Sequence, residues 1–336
     1  MNTKKLTINQ VKEAGQILKN GGLVAIPTET VYGLAADALN GKAVANIFKA
    51  KGRPMDNPLI VHIANLDQLC GIVSSFPANA KKLAKAFWPG PLTIIMPKSD
   101  KIPFEVSAGL DTVAVRYPSH KVAQEVILES GPLAAPSANL SGSPSPTTAE
   151  HVLKDLDGKI DAVLDGGSCD VGLESTVVTV VTEPPRLLRP GGITLSQLRE
   201  VLGEVEVDPA VLNKIDSNEK VSSPGMKYKH YAPKAKVILI KASKEKYIDY
   251  INKNCDEYTA ALCYDDDIKS LNCFSISYGK EDNQIDQAKN LFAALRKFDD
   301  KRDIKIIYAR CPNPDGIGMA VYNRLIRAAG FEMLSL

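Results

Sequence analysis

Several short segments concentrate charged and hydroxyl-bearing side chains that could contact a ligand. Lys49-Ala50-Lys51-Gly52-Arg53, followed by Pro54 and Asn57, sets three cations within five positions at an expected helix end. Cations offset the dipole at a helix C-terminus. That accounts for Lys49 or Lys51, but not for Arg53 beyond the glycine. A guanidinium fork beside an ammonium suits a polyphosphate, and an extended path through 51–53 would aim both cations into one groove. Pro27-Thr28-Glu29-Thr30-Val31-Tyr32-Gly33-Leu34 follows a strand directly, where α/β folds place ligand-contacting loops. It carries three hydroxyls and a carboxylate, which a capped polar turn would equally use. Ala135-Pro136-Ser137-Ala138-Asn139-Leu140-Ser141-Gly142, with Ser143 and Ser145 beyond, leads a strand into small hydroxyl donors that let a ligand approach the backbone. A Ser/Pro-rich turn is the plain alternative.

Thr112 and Arg116 stand at the two ends of a short apolar strand candidate. A cation ending such a strand is costly unless it is paired or meets an anion. Arg189-Pro190-Gly191-Gly192 repeats that arrangement. His62, within Pro58–Ile63, reads first as a satisfied core histidine, and Glu174-Ser175-Thr176 as a turn before a strand. Several familiar solutions are absent: a phosphate loop of the G-x-x-x-x-G-K-[ST] type, H-E-x-x-H and G-x-S-x-G. Gly316-Ile317-Gly318 lacks the third glycine of a dinucleotide fingerprint and reads as a tight strand-to-helix turn.

These segments need elements to position them. Apolar spacing predicts helices over 9–20, 42–51, 78–87, 120–129, 147–156 and 194–202. It predicts strands at 23–26, 59–63, 92–96, 112–116, 133–135, 162–164, 176–181 and 186–188. This is one α/β domain over residues 7–203 with a large mixed sheet. Residues 204–235 are rich in proline, charge and polar groups and read as a linker. Within it, 222–233 carries two tyrosines, a histidine and two lysines, a density that suits an active-site lid rather than a passive spacer. Residues 236–336 restart the alternation, with strands at 237–240, 260–263, 274–277 and 304–309 and helices at 244–252, 284–298 and 318–329. Strands alternating with helices predict a small parallel-sheet domain.

The chain has 336 residues, 44% hydrophobic and 24% charged, with a formal net charge of +2. That length accommodates two domains, and the balance announces no global nucleic-acid binder. Lys4 and Lys5 precede no apolar run, and no stretch approaches the roughly 18 apolar residues of a membrane span. Cys70, Cys169, Cys255, Cys263, Cys273 and Cys311 form no C-x-x-C pair and no zinc spacing. They read as reduced, mostly buried thiols of a cytoplasmic protein.

Taken together and in order, PTETVYGL, the K-x-R of KGRP, the SAN of PSANLSG, and the STVV and RPG segments resemble the YrdC-like domain of threonylcarbamoyl-AMP synthases. The SPGMKYKHYAP segment and the region after it resemble the long form of that family, with a small Rossmann-like C-terminal domain. The resemblance implies a nucleotidyltransferase that turns L-threonine, bicarbonate and ATP, with Mg²⁺, into threonylcarbamoyl-AMP and pyrophosphate. A separate transferase complex would then modify adenosine 37 of tRNA. It implies threonine contacts at Thr30, His62, Arg116, Ala135 and Ser175. It implies an ATP side at Lys51, Arg53, Asn57, Thr112, Ser137, Ser145, Arg189 and Tyr231, with Tyr228 as second choice to Tyr231. Lys51 and Arg53 would neutralise developing charge, and the metal ligands are not specified. Two other readings are a carbamoyl transferase of the hydrogenase-maturation type, disfavoured by the missing acylphosphatase-like and zinc-finger regions, and a non-catalytic RNA-binding module.

Overall fold

The alternation of side chains along each strand decides which face it buries. Val24 and Ile26 join one apolar cluster while Ala25 joins another, and Ala162 and Leu164 part from Val163 in the same way. The large sheet therefore packs on both faces. The computed structural model describes residues 2–213, 230–301 and 303–336. Its large sheet contains β1 (Lys4–Thr7), β2 (Val24–Ile26), β3 (Gly33–Asp37), β4 (Ile60–His62), β5 (Leu92–Pro97), β6 (Thr112–Arg116), β7 (Leu133–Ala134), β8 (Ala162–Asp165), β9 (Thr176–Thr179), β10 (Arg186–Arg189) and β11 (Glu206–Val207). The strand order is β1-β8-β2-β3-β7-β4-β6-β5-β9-β10-β11, with parallel and antiparallel pairs mixed.

One register matters for function. Ile60 pairs with Ala114 and Ala114 with Ile95; two residues along, His62 pairs with Arg116 and Arg116 with Thr93. Two residues on along a strand is the same face. An apolar row thus continues into a polar one at the middle of the sheet.

The smaller sheet holds β12 (Lys236–Lys241), β13 (Thr259–Cys263), β14 (Phe274–Ser277), β15 (Ile306–Arg310) and β16 (Met333–Ser335), in the order β14-β13-β15-β12-β16. Every pairing in it is parallel, as the strand–helix alternation predicts. Helix Gly318–Ala328 is buried nearly all round, including Asn323, Arg324 and Arg327. A helix buried on every side has two packing partners. Here Val321, Leu325 and Ile326 join the apolar core of the small sheet, while the polar residues reach the large unit.

The structure differs from the sequence reading in identifiable places. Lys4–Thr7, Gly33–Asp37 and Met333–Ser335 are strands that local pattern did not announce. Gly33-Leu34-Ala35-Ala36-Asp37 lacks β-branched residues, and tertiary pairing overrides its weak propensity. Glu206–Val207 pairs with β10, and Ala210 and Val211 are buried, inside the stretch expected to be linker. Of the cysteines only Cys169 and Cys263 are buried; Cys70 is exposed and the other three are half-buried, so "mostly buried" does not hold, although all six are free. The lid expected at 222–233 lies outside the described residues up to 229, Tyr228 included. Among the described residues no helix is long and apolar enough to cross a membrane.

Candidate active site

Lys51 is buried because of its phase on its helix. Helix Gly41–Lys51 starts at Asn40, whose side chain accepts from the Ala43 N–H, and buries Val44, Ile47, Phe48 and Lys51. Lys51 thus occupies the last position of an i, i+3, i+4, i+7 stripe. Gly52 ends the helix at φ 60°, a left-handed conformation that glycine adopts without strain. The extended 51–53 path expected from sequence is therefore replaced by a helix end and a turn, which bring Lys51 and Arg53 to the same cleft. The Lys51 ammonium donates to the carbonyls of Ser137 and Asn139, each at 2.5 Å. Burial, and secondarily Arg53, push its pKa well below the usual value. Arg53 donates to the carbonyls of Asn57 and Pro58, each at 3.3 Å.

The polar row of the sheet forms another wall. Arg116 donates from Nη1 to Thr30 Oγ1 at 2.8 Å, and its Nη2 lies 2.7 Å from Glu29 Oε1. Nη2 is thus taken by Glu29, whereas the buried Nε has no hydrogen-bond partner and keeps capacity for a ligand carboxylate. Burial alone would raise the Glu29 pKa, but Arg116 overrides it and holds the carboxyl below its usual range. His62 Nδ1 sits 3.2 Å from the Ile60 carbonyl. A carbonyl only accepts, so Nδ1 carries the proton and Nε2 presents a lone pair. Ser175 Oγ bonds Thr93 Oγ1 at 2.8 Å, and Arg189 reaches the Ser175 carbonyl and hydroxyl at 3.1 and 3.3 Å.

One cleft is lined by Thr30, Lys51, Arg53, His62, Arg116, Ala135, Ser137, Ser175, Arg189 and Tyr231, ten of the thirteen residues singled out from sequence. The other three stand outside the lining. Asn57 is buried beneath Arg53, Thr112 begins the strand that Arg116 ends, and Ser145 donates to the Glu174 carboxylate from behind. The cleft also takes in Asn139, Glu174 and His230. Glu174 looks like a turn residue in sequence; nothing local shows that it is a buried carboxylate paired with Arg324, 150 positions away. Tyr231, at φ 67°, packs its ring 5.2 Å from that of Phe292 of the small unit while lining the cleft.

Acid should destabilise this site. Burial pushes His62 and His230 down to about 3, His151 to about 4, and His120 below its usual value. The unfolded chain binds these protons near pH 6.5 and the folded chain does not. Stability is therefore full above 6.5 and is lost as pH falls toward the folded values. For His62 alone the loss by pH 5 is about 2 kcal/mol. The thermal midpoint should fall between pH 7 and 5, and His62→Gln should flatten part of that slope. A midpoint that ignores pH in this window would contradict the buried neutral imidazole.

Residues 16–191 match the Sua5/YciO/YrdC family model, described as "Telomere recombination". Residues 193–330 match the model described as "Threonylcarbamoyl-AMP synthase, C-terminal domain". The chain is 44% identical to the threonylcarbamoyl-AMP synthase of Pyrococcus abyssi, over 97% of this chain and 96% of that protein. It is 46% identical to that of Bacillus subtilis, over 99% and 97%. The crystal structure of P. abyssi Sua5 complexed with L-threonine superposes with a TM-score of 0.91 at 42% identity, covering the whole of both chains. Two consecutive family models and full-length relatives lead to one conclusion: the chain belongs to the threonylcarbamoyl-AMP synthase family, in its two-domain form.

Proposed function

We propose that this enzyme is a nucleotidyltransferase that forms threonylcarbamoyl-AMP and pyrophosphate from L-threonine, bicarbonate and ATP. One observation carries the reading. A single cleft joins a group suited to bind a carboxylate and a hydroxyl, Arg116, Thr30, His62 and Ser175, to a cluster of cations, Lys51, Arg53 and Arg189. The threonine amine and bicarbonate would condense to a carbamate with loss of water. A carbamate oxygen then bonds to the α-phosphorus, and the bond to the pyrophosphate leaving group breaks. Arg116 holds the threonine carboxylate, Ala135 borders the same pocket, and neutral His62 accepts from the hydroxyl. Catalysis is positioning and charge neutralisation, which needs no covalent enzyme intermediate.

Lys51, Arg53, Ser137, Arg189 and Tyr231 face the nucleotide in this reading. Asn57 and Ser145 act from behind, through Arg53 and Glu174. Thr112 would meet only a part of the nucleotide extending past the lining. Mg²⁺ enters as the ATP complex, as substrate. The described residues contain no cluster of three His, Cys, Asp or Glu suited to a metal, and the lining carboxylate Glu174 is taken by Arg324 and Ser145. Mg²⁺ commonly binds through substrate phosphates and water with few protein ligands. The product would pass to a separate transferase acting on tRNA in the cytoplasm.

Pyrophosphate release by the purified protein tests this. Release should require threonine and bicarbonate together. Release from ATP with either one omitted, at the full rate, would refute the reaction.

A further inference from the structure

We propose that Arg324, which lies outside the cleft on helix Gly318–Ala328, is a positioning residue through which the small unit sets the geometry of the active site. The inference rests on the function proposed above. Arg324 is fully buried, and its guanidinium spans two active-site turns. Nε bonds the Glu174 carboxylate at 2.8 Å and Nη2 reaches the Glu174 carbonyl at 3.3 Å. Nη1 donates to the Pro190 carbonyl and to Asn323 Oδ1, each at 2.9 Å. Glu174 immediately precedes Ser175, and Pro190 immediately follows Arg189. One side chain therefore ties the peptide on one side of Ser175 to the peptide on one side of Arg189, two cleft residues that also bond each other directly. The Glu174 carboxylate in turn accepts from Ser145, so a third segment hangs on the same group.

The two turns touch through backbone. A Cβ at Gly191 would stand 2.3 Å from the Thr176 nitrogen and 2.6 Å from the Glu174 carbonyl oxygen, so only glycine allows this approach. Burial would raise the Glu174 pKa, but Arg324 first and Arg189 second keep the carboxyl ionised below its usual range. A buried ion pair repays its desolvation poorly as stability and is better suited to fixing one geometry. A lysine could meet one of these acceptors but cannot fork across a carboxylate and two carbonyls. The guanidinium also lies 5.6 Å from the Tyr231 ring, which links the end of the interdomain segment to the same anchor.

Full-length Arg324→Lys, Arg324→Met and Glu174→Gln are compared with the unsubstituted protein, each checked for a folded circular-dichroism spectrum and a single thermal transition. Turnover is measured well below each midpoint. Displacing reacting groups by an ångström costs on the order of a hundredfold. The folded variants should therefore lose about 10- to 100-fold in kcat at saturating substrates, Arg324→Lys included. A residue serving stability alone would lower the midpoint and leave kcat per folded molecule unchanged; that result overturns the proposal. If the Arg324 variants do not fold, Glu174→Gln carries the same comparison. If the unsubstituted protein releases no pyrophosphate, the functional reading fails. The clamp is then read from calorimetric ATP binding, where Arg324→Lys should bind at least tenfold more weakly and equal affinity would overturn it.

Discussion

Replacing Lys51 with methionine, or Arg53 with alanine, should lower kcat/KM by about 30- to 1000-fold while the fold survives. The range corresponds to roughly 2–4 kcal/mol for removing a charge-assisted hydrogen bond in a site sheltered from water. For Lys51 the structure adds a second route to the loss. Its ammonium holds the carbonyls of Ser137 and Asn139, so methionine also frees the loop that carries Ser137. An arriving polyphosphate would offset the burial that pushes the Lys51 pKa down and keep the amine charged. Far-UV circular dichroism and threonine binding should stay close to those of the unsubstituted protein, because Arg116, Thr30 and His62 sit on other strands and loops. Near-normal turnover in both variants would remove these cations from the mechanism.

Valine should be rejected severely and serine only mildly. Thr30 Oγ1 is engaged by Thr28 at 2.9 Å and by Arg116 at 2.8 Å, and the neutral His62, with Nδ1 turned to the Ile60 carbonyl, offers Nε2 in the same cleft as an acceptor for a substrate hydroxyl. A site built to pair a hydroxyl leaves its own polar group stranded when a methyl arrives, a penalty of roughly a thousandfold or more in kcat/KM. Serine keeps the hydroxyl and loses one methyl, about 0.8 kcal/mol or some fourfold. Competition assays following pyrophosphate release with each amino acid would measure both ratios. Valine turned over within tenfold of threonine would mean that His62 does not read the hydroxyl. His62→Leu should narrow the gap between threonine and valine, since it removes the lone pair that discriminates.

Local sequence was sufficient for much of this molecule. Strand Thr112–Arg116 and helices Ala78–Phe87 and Gln284–Phe298 occupy the ranges that apolar periodicity predicts, because amphipathic phase is a property of consecutive residues. The all-parallel small sheet follows from the alternation of its strands and helices. Family membership was legible in ordered motifs, and ten of the thirteen residues they singled out do line one cleft. Register, by contrast, was invisible. His62, Arg116 and Thr93 become neighbours only when β4, β6 and β5 pair, and no local signal records which strands adjoin. Short strands such as Lys4–Thr7 and Glu206–Val207 exist because a partner edge supplies their hydrogen bonds, not because their residues favour extension. Glu174 and Arg324 lie 150 positions apart, and each alone reads as an ordinary charged residue. Only the docking of the second unit turns them into a buried pair behind the cleft, since the desolvation that makes such a pair consequential arises when two distant surfaces close over it.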